Sequence, residues 1–123
     1  MAVIRRFEDL IAWQKARRLA NAIYDLSDLP AFKRDLQLRN QLRDAAGSTM
    51  HNIAEGFDAG TPAEYIRFLK IARRSCSEVQ SEMYLALDRK YIHQEQFAEG
   101  YTLATETKQL VNGLISYLRK RLQ

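Results

Sequence analysis

Cysteine is almost absent. Cys76 stands alone among 123 residues, which excludes an intramolecular disulfide framework and makes a reducing compartment the simplest expectation. Long apolar runs are missing too, and no stretch approaches the roughly 20 residues that span a bilayer. The opening MAVIRRFEDL carries two arginines but then acids where a secretory signal needs its apolar stretch, so a cytoplasmic protein without membrane attachment is expected. Histidine is scarce: His51 and His93 are the only two, and no Glu-x-x-His occurs, so the di-iron site of helical bundles cannot be assembled. GFDAGT at residues 56–61 lacks the glycine spacing and the lysine of a P-loop. No detached basic arm exists either, since the nine Lys and Arg of residues 1–50 are interspersed with six acids. The net charge of +4 is compatible with a polyanionic partner without requiring one.

What the chain does have is apolar periodicity at helical spacing. A length of 123 residues with 46% hydrophobic content predicts a single domain, 1–123, with one modest core. The first segment, about residues 9–27, places Trp13, Ala16, Ala20, Ile23 and Tyr24 on one side. DLPAF interrupts it. A second, about 34–57, aligns Leu38, Leu42, Ala45, Thr49, Ile53 and Phe57, with Ala46 and Met50 beside them. In the third, Tyr65, Leu69, Ala72, Cys76, Val79, Met83 and Ala86 form a stripe opposite Arg67, Lys70, Arg74, Ser77 and Ser81. The fourth, about 94–121, carries Phe97, Tyr101, Ala104, Val111, Leu114, Leu118 and Leu122, with Gly113 as a weak point that only close packing would explain. Four helices with short links predict an all-α, antiparallel four-helix bundle.

The stretch NIAEGFDAGTPAEY, residues 52–65, reads as a corner of that bundle. Thr61, Pro62 and Glu64 are spaced as N-cap, first-turn proline and capping-box acid, which makes Gly60 a turn glycine. Gly56 suits either a left-handed helix end or a close approach to another helix.

Catalytic and metal chemistry find little support. His51 with Glu55 and Glu78 with Glu82 are spaced four apart, yet neither pair completes a ligand set. Cys76 falls on an apolar stripe, where a thiol serves as a small hydrophobe, and the serines show no nucleophile elbow or Ser-x-x-Lys setting. No catalytic residue, metal or cofactor is expected. Glu55 reads instead as an interface acid stabilised by a basic partner, with Arg39 and Arg43 available only from a neighbouring chain.

The candidate functional surface is basic. Arg67, Lys70 and Arg74 occupy successive turns of one wet face, Arg39 and Arg43 form a one-turn pair, and Arg119, Lys120 and Arg121 close the chain. Such cations could meet phosphates of structured RNA or DNA. Arg17 and Arg18 extend one of these patches. Pairing with acids such as Glu78 and end-of-helix solvation are the structural alternatives. Ile66, Phe68 and Ile71 widen the apolar arc beyond one seam, which points to a homo-oligomer. Two classes stay open: an oligomeric bundle associated with nucleic acid, and a protein-interaction bundle that never touches it.

AWQKARRLANAIYDL, LRNQLRDAAGSTMHNIAEGF and EYIRFLKIARRSCSEVQSEMYLALDRKYI together resemble the bacterial four-helix-bundle family encoded in 23S ribosomal RNA intervening sequences, over roughly residues 7–97. The match is strongest at Asn52, Ile53, Ala54, Glu55, Gly56 and Phe57, then Glu64, Phe68, Leu69, Ile71, Ala72 and Arg73. The resemblance implies a ring-like homo-pentamer without enzyme activity, in which Trp13, Asn52, Glu55, Gly56, Phe57, Phe68 and Ile71 are structural or interface residues. A related branch, the accessory proteins of diversity-generating retroelements, implies a reverse transcriptase as a partner. This chain departs from the family at Asp58 and Ala59, where glycine and a basic residue are common, and at Arg74, where glycine is frequent.

Overall fold

The computed structural model describes residues 3–122. Four long helices, α1 (Ile11–Ser27), α3 (Leu36–Phe57), α4 (Pro62–Asp88) and α5 (Gln94–Arg121), are joined by short links, with a one-turn α2 (Pro30–Lys33) between α1 and α3 and a 3-10 turn at Phe7–Asp9. Each long helix packs on two neighbours, in the cyclic order α1, α3, α4, α5, so the chain runs up and down as a four-helix bundle. The DLPAF interruption is therefore not a bare loop. Pro30 opens α2, where its missing N–H costs nothing, and Phe32 is fully buried from it.

The helix ends follow from local chemistry. Thr61 accepts the Glu64 N–H at 3.2 Å and Pro62 opens α4, while the Glu64 carboxylate turns to Arg67. Gly60 takes φ +91°, the left-handed turn conformation that its sequence position predicts. His93 caps α5 through Nδ1, with Gln96 returning the bond to the His93 N–H at 2.9 Å. Helix α4 ends in a Schellman motif, with Tyr91 N–H bonded to the Ala86 carbonyl at 2.9 Å and Lys90 at φ 63° in the position glycine prefers.

The core divides into two clusters. One joins Leu19, Ile23, Phe32, Leu42, Val79, Met83 and Phe97; the other joins Trp13, Ile53, Ile66, Leu69, Val111 and Ile115, and Met50 packs against both. The stripe of α4 is buried from Leu69 to Ala86 as its periodicity predicts, and Tyr65 is half-buried. Two expectations change. Tyr24 is 46% exposed at the rim of the inner face of α1, where Arg43 covers its ring; Leu122 lies beyond the end of α5 and is also exposed. Gly56 lies inside α3 and serves close approach, since a Cβ there would sit 3.0 Å from both Phe68 Cβ and Tyr65 Cδ1. Gly113 has no such reason: a Cβ would meet nothing within 4 Å.

Candidate nucleic-acid interface

Helix α4 positions the main candidate surface. Residues spaced three and four apart share a helix face, so Arg67, Lys70 and Arg74 all emerge on the side opposite the buried stripe, and all three are exposed. A shallow depression of about 340 Å³ on this face is lined by these three cations together with Arg73 and the half-buried Ile71. Arg67 is held by Glu64 at 3.1 Å and lies over the Phe68 ring at 4.5 Å. Both members of that ion pair are about half exposed, and an exposed pair contributes about 0–1 kcal/mol, so a phosphate can replace the carboxylate at small cost. Lys70 and Arg74 have no ion-pair partner among the described residues. The pairing of Arg74 with Glu78 that the spacing offers is thus not formed.

Arg73 was not singled out as a phosphate ligand by sequence, because it sits between the wet face and the α5 seam. It donates to Asn112 Oδ1 at 2.9 Å, which ties α4 to α5. Two turns beyond Asn112, about 11–12 Å along the helix axis, come Arg119 and Lys120, both exposed and both carried toward the start of α4 by the antiparallel arrangement. Arg121 is engaged locally, donating to the Tyr117 hydroxyl at 2.6 Å. The bundle thereby brings two of the three basic clusters to the same end.

The third cluster lies elsewhere. Arg43 Nη2 meets Asp28 at 2.8 Å, its Nε donates to Ser27 Oγ at 2.7 Å, and its guanidinium covers the Tyr24 ring at 4.4 Å. Arg39 reaches the same Asp28 at 3.7 Å. These arginines pin α3 to the end of α1 within one chain, and their side chains are only 14% and 21% exposed. Arg17 and Arg18 sit on α1, which packs on α3 and α5, so they do not extend the α4 surface; Arg17 lies over Trp13.

The structural residues fall at the seams. Trp13 is buried against Phe7, with ring centroids 5.2 Å apart, and Phe57 meets Tyr65 edge-on at 6.3 Å. Asn52 donates to the Ser48 carbonyl at 2.8 Å and to Ser48 Oγ at 3.0 Å, and Ser48 in turn meets Ser75 of α4 at 2.8 Å. Phe68 and Ile71 are half-buried. Glu55 is exposed and has no ion-pair partner among the described residues.

Among the described residues no three His, Cys, Asp or Glu side chains come together as a metal site. The Cys76 thiol is pushed up to about 11 by burial, only partly offset by its contact with Thr49 and by the charge of Lys108, which leaves it unreactive as a nucleophile. Glu82 is raised to about 7 by burial, then by Glu78 and Asp44. Among the described residues no helix is long and apolar enough to cross a membrane.

Comparison with known proteins supplies the family. A crystal structure from Bacteroides thetaiotaomicron VPI-5482, described as a protein of unknown function from the S23 ribosomal protein family, superposes with a TM-score of 0.78. It is 23% identical and covers 85% of this chain and 98% of its own, which establishes a shared fold. No curated protein matches. The profile of the 23S rRNA-intervening sequence proteins matches residues 8–113, spanning α1 through most of α5, and the chain belongs to that family.

Proposed function

We propose that this protein is a non-catalytic, oligomeric bundle of the cytoplasm that binds structured RNA or DNA through phosphate contacts along α4. The observation that carries the reading is the concentration of Arg67, Lys70, Arg73 and Arg74 around one depression, with Lys70 and Arg74 unpaired among the described residues. Arg119 and Lys120 extend the patch from α5, while Arg39 and Arg43, already held by Asp28, contribute less. A homo-pentamer, as the resemblance implies, would repeat the patch and turn a modest per-chain charge into a broad field. Contacts of this kind recognise backbone and shape, since no base-reading module accompanies them.

The test is binding of the purified protein to structured ribosomal RNA and to matched double-stranded DNA across a salt series, with assembly mass measured in the same buffers. Affinity that falls linearly on a log–log plot against salt supports the reading. An assembled protein that binds neither polymer at low salt would overturn it and leave the protein-interaction class.

A further inference from the structure

The seam between α4 and α5 carries a line of positive charge that continues from the α4 surface. Two contacts set its register: Arg73 Nη1 donates to Asn112 Oδ1 at 2.9 Å, and Gln80 Nε2 donates to Thr105 Oγ1 at 2.9 Å. A step forward along α4 is thus matched by an equal step back along α5. Residues three, four and seven apart share a helix face, so Lys70, Arg73, Ser77, Gln80 and Tyr84 form the α4 row, and Tyr101, Thr105, Lys108, Asn112, Ser116 and Arg119 the α5 row. Those rows hold four cations and no acid. The neighbouring acids are turned elsewhere: Glu106 reaches Lys15 of α1, Glu64 holds Arg67, and Glu78 lies toward Glu82 on the α3 side. Asp88 comes one turn after Tyr84, past the end of the row.

Two of the four cations are half-buried without a counter-charge. Arg73 is met by the neutral amide of Asn112, and Lys108 Nζ by that of Gln80, donating to its Oε1 at 3.2 Å. Neither forms an ion pair among the described residues, and neither do Lys70 and Arg119. An amide oxygen orients a cation without neutralising it, and a charge drawn partly out of water is costly until an anion joins it. Both cations keep further N–H donors for that anion. Taken by level, Arg119, Lys70, Arg73 and Lys108 follow one another at steps of about 4–6 Å along the axis, a spacing that successive phosphates of one strand can follow. The line ends at an aromatic platform. Tyr84 is 49% exposed and is braced by Phe97 and Tyr101, with ring centroids 4.8 and 6.0 Å away.

We propose that the α4/α5 seam is a single-strand site, in which the phosphates of unpaired RNA or DNA follow Arg119, Lys70, Arg73 and Lys108 and a base stacks on Tyr84. The aromatic end decides the class, because a base inside a duplex has both faces covered by its neighbours and offers none to a tyrosine. A cationic groove with a stacking ring tolerates any sequence, since every base has a π-face. The inference rests on the polyanion reading above, with which it shares Lys70 and Arg73, and narrows the ligand to an unpaired stretch. The residues assigned to an interface leave the seam clear: Asn52 and Glu55 belong to α3, and Phe68 packs on Gly56 of that helix.

The experiment is fluorescence anisotropy of labelled oligouridylate, oligothymidylate and a duplex DNA of equal length, titrated across a salt series with wild type, Lys108→Gln, Tyr84→Leu and Tyr84→Trp. Lys108 and Tyr84 lie outside the α4 phosphate surface, and circular dichroism melting checks that each variant folds. Tyr84→Leu is expected to weaken single-strand binding roughly tenfold and to leave duplex binding unchanged, with Tyr84→Trp restoring it. Lys108→Gln is expected to lower the salt slope for single strands by about 0.7 and to leave the duplex slope unchanged. Equal losses toward the two single strands mark a site for either sugar, and a loss confined to one names its strand. Single-strand binding unchanged in both Lys108→Gln and Tyr84→Leu, or weakened equally with duplex binding, would overturn the seam and leave the polyanion reading standing. A wild type that binds none of the three polymers would end both.

Discussion

Gly56 and Gly113 both lie inside helices, and replacing each by alanine separates propensity from packing. Alanine gains about 0.5–1 kcal/mol over glycine in a helix interior. At Gly113 a Cβ meets nothing within 4 Å, so Gly113→Ala should realise that gain in full. At Gly56 the new Cβ would lie 3.0 Å from Phe68 Cβ, 3.0 Å from Tyr65 Cδ1 and 3.3 Å from the Tyr65 carbonyl oxygen. Carbon pairs prefer about 3.5–4.0 Å. Phe68 Cβ and the Tyr65 carbonyl are tied to the α4 backbone, so relief requires α3 and α4 to move apart along the seam that also carries the Ser48–Ser75 contact. Overpacking of this kind costs about 1–3 kcal/mol, which outweighs the propensity gain. Gly56→Ala should therefore unfold about 1–2 kcal/mol more easily than wild type, and Gly113→Ala about 0.5–1 kcal/mol less easily. For a domain of this size the two melting temperatures should straddle that of the wild type by several degrees. Urea unfolding followed by circular dichroism measures both variants against the same baseline. A Gly56→Ala protein as stable as wild type would refute the close approach of the two helices.

Four further outcomes follow from named contacts. Glu82 is raised in the folded state from 4.5 to about 7, so the stability this causes is fully present below its unfolded value and is lost as pH rises through about 7. Glu82→Gln should thus be more stable than wild type at pH 8, by about 1 kcal/mol once solvent screening is allowed for, and similar at pH 4, as urea midpoints will show. Arg43→Ala should cost about 1–3 kcal/mol of stability by releasing Asp28 and Ser27, with a smaller loss of RNA affinity than changes on α4, read by unfolding and binding on the same sample. Lys90→Gly should stabilise by about 1 kcal/mol, because it relieves a side chain held at φ 63°, and thermal melting checks it. Cys76 should resist thiol reagents in the native state even at pH 9, since its thiol is buried and raised to about 11, and should react once urea unfolds the chain.

The features legible in the sequence are those fixed by neighbours along the chain. The stripe of α4 from Leu69 to Ala86, the turn at Gly60 and the Thr61 cap all depend on local spacing, and all appear where that spacing puts them. Features set by distant partners were not legible. Arg43 reads in the sequence as a phosphate contact because Ser27 and Asp28 lie 16 and 15 residues away, and only the return of α3 along α1 brings them to it. Tyr24 fits the helical spacing of α1 but sits at the edge of its inner face, where the Arg43 guanidinium of α3 covers its ring. Gly113 sits inside α5 although no neighbour approaches closely enough to require a glycine there. The surroundings of Glu82 were hidden for a similar reason: Glu78 and Glu82 are visible as a spaced pair, but Asp44 joins them only across the helix seam.

The measurement closest to the central claim is the salt dependence of double-stranded DNA and structured RNA binding by wild type and by Arg67→Gln/Lys70→Gln/Arg74→Gln, at matched assembly mass. Each phosphate neutralised on B-form DNA contributes a slope of about 0.9 to the fall of log affinity with log salt. Loss of three contacts per bound chain should reduce the slope by roughly two to three and weaken binding at low salt, without altering the unfolding transition. Equal slopes and equal affinities for the two proteins would show that α4 does not contact phosphate and would contradict the account.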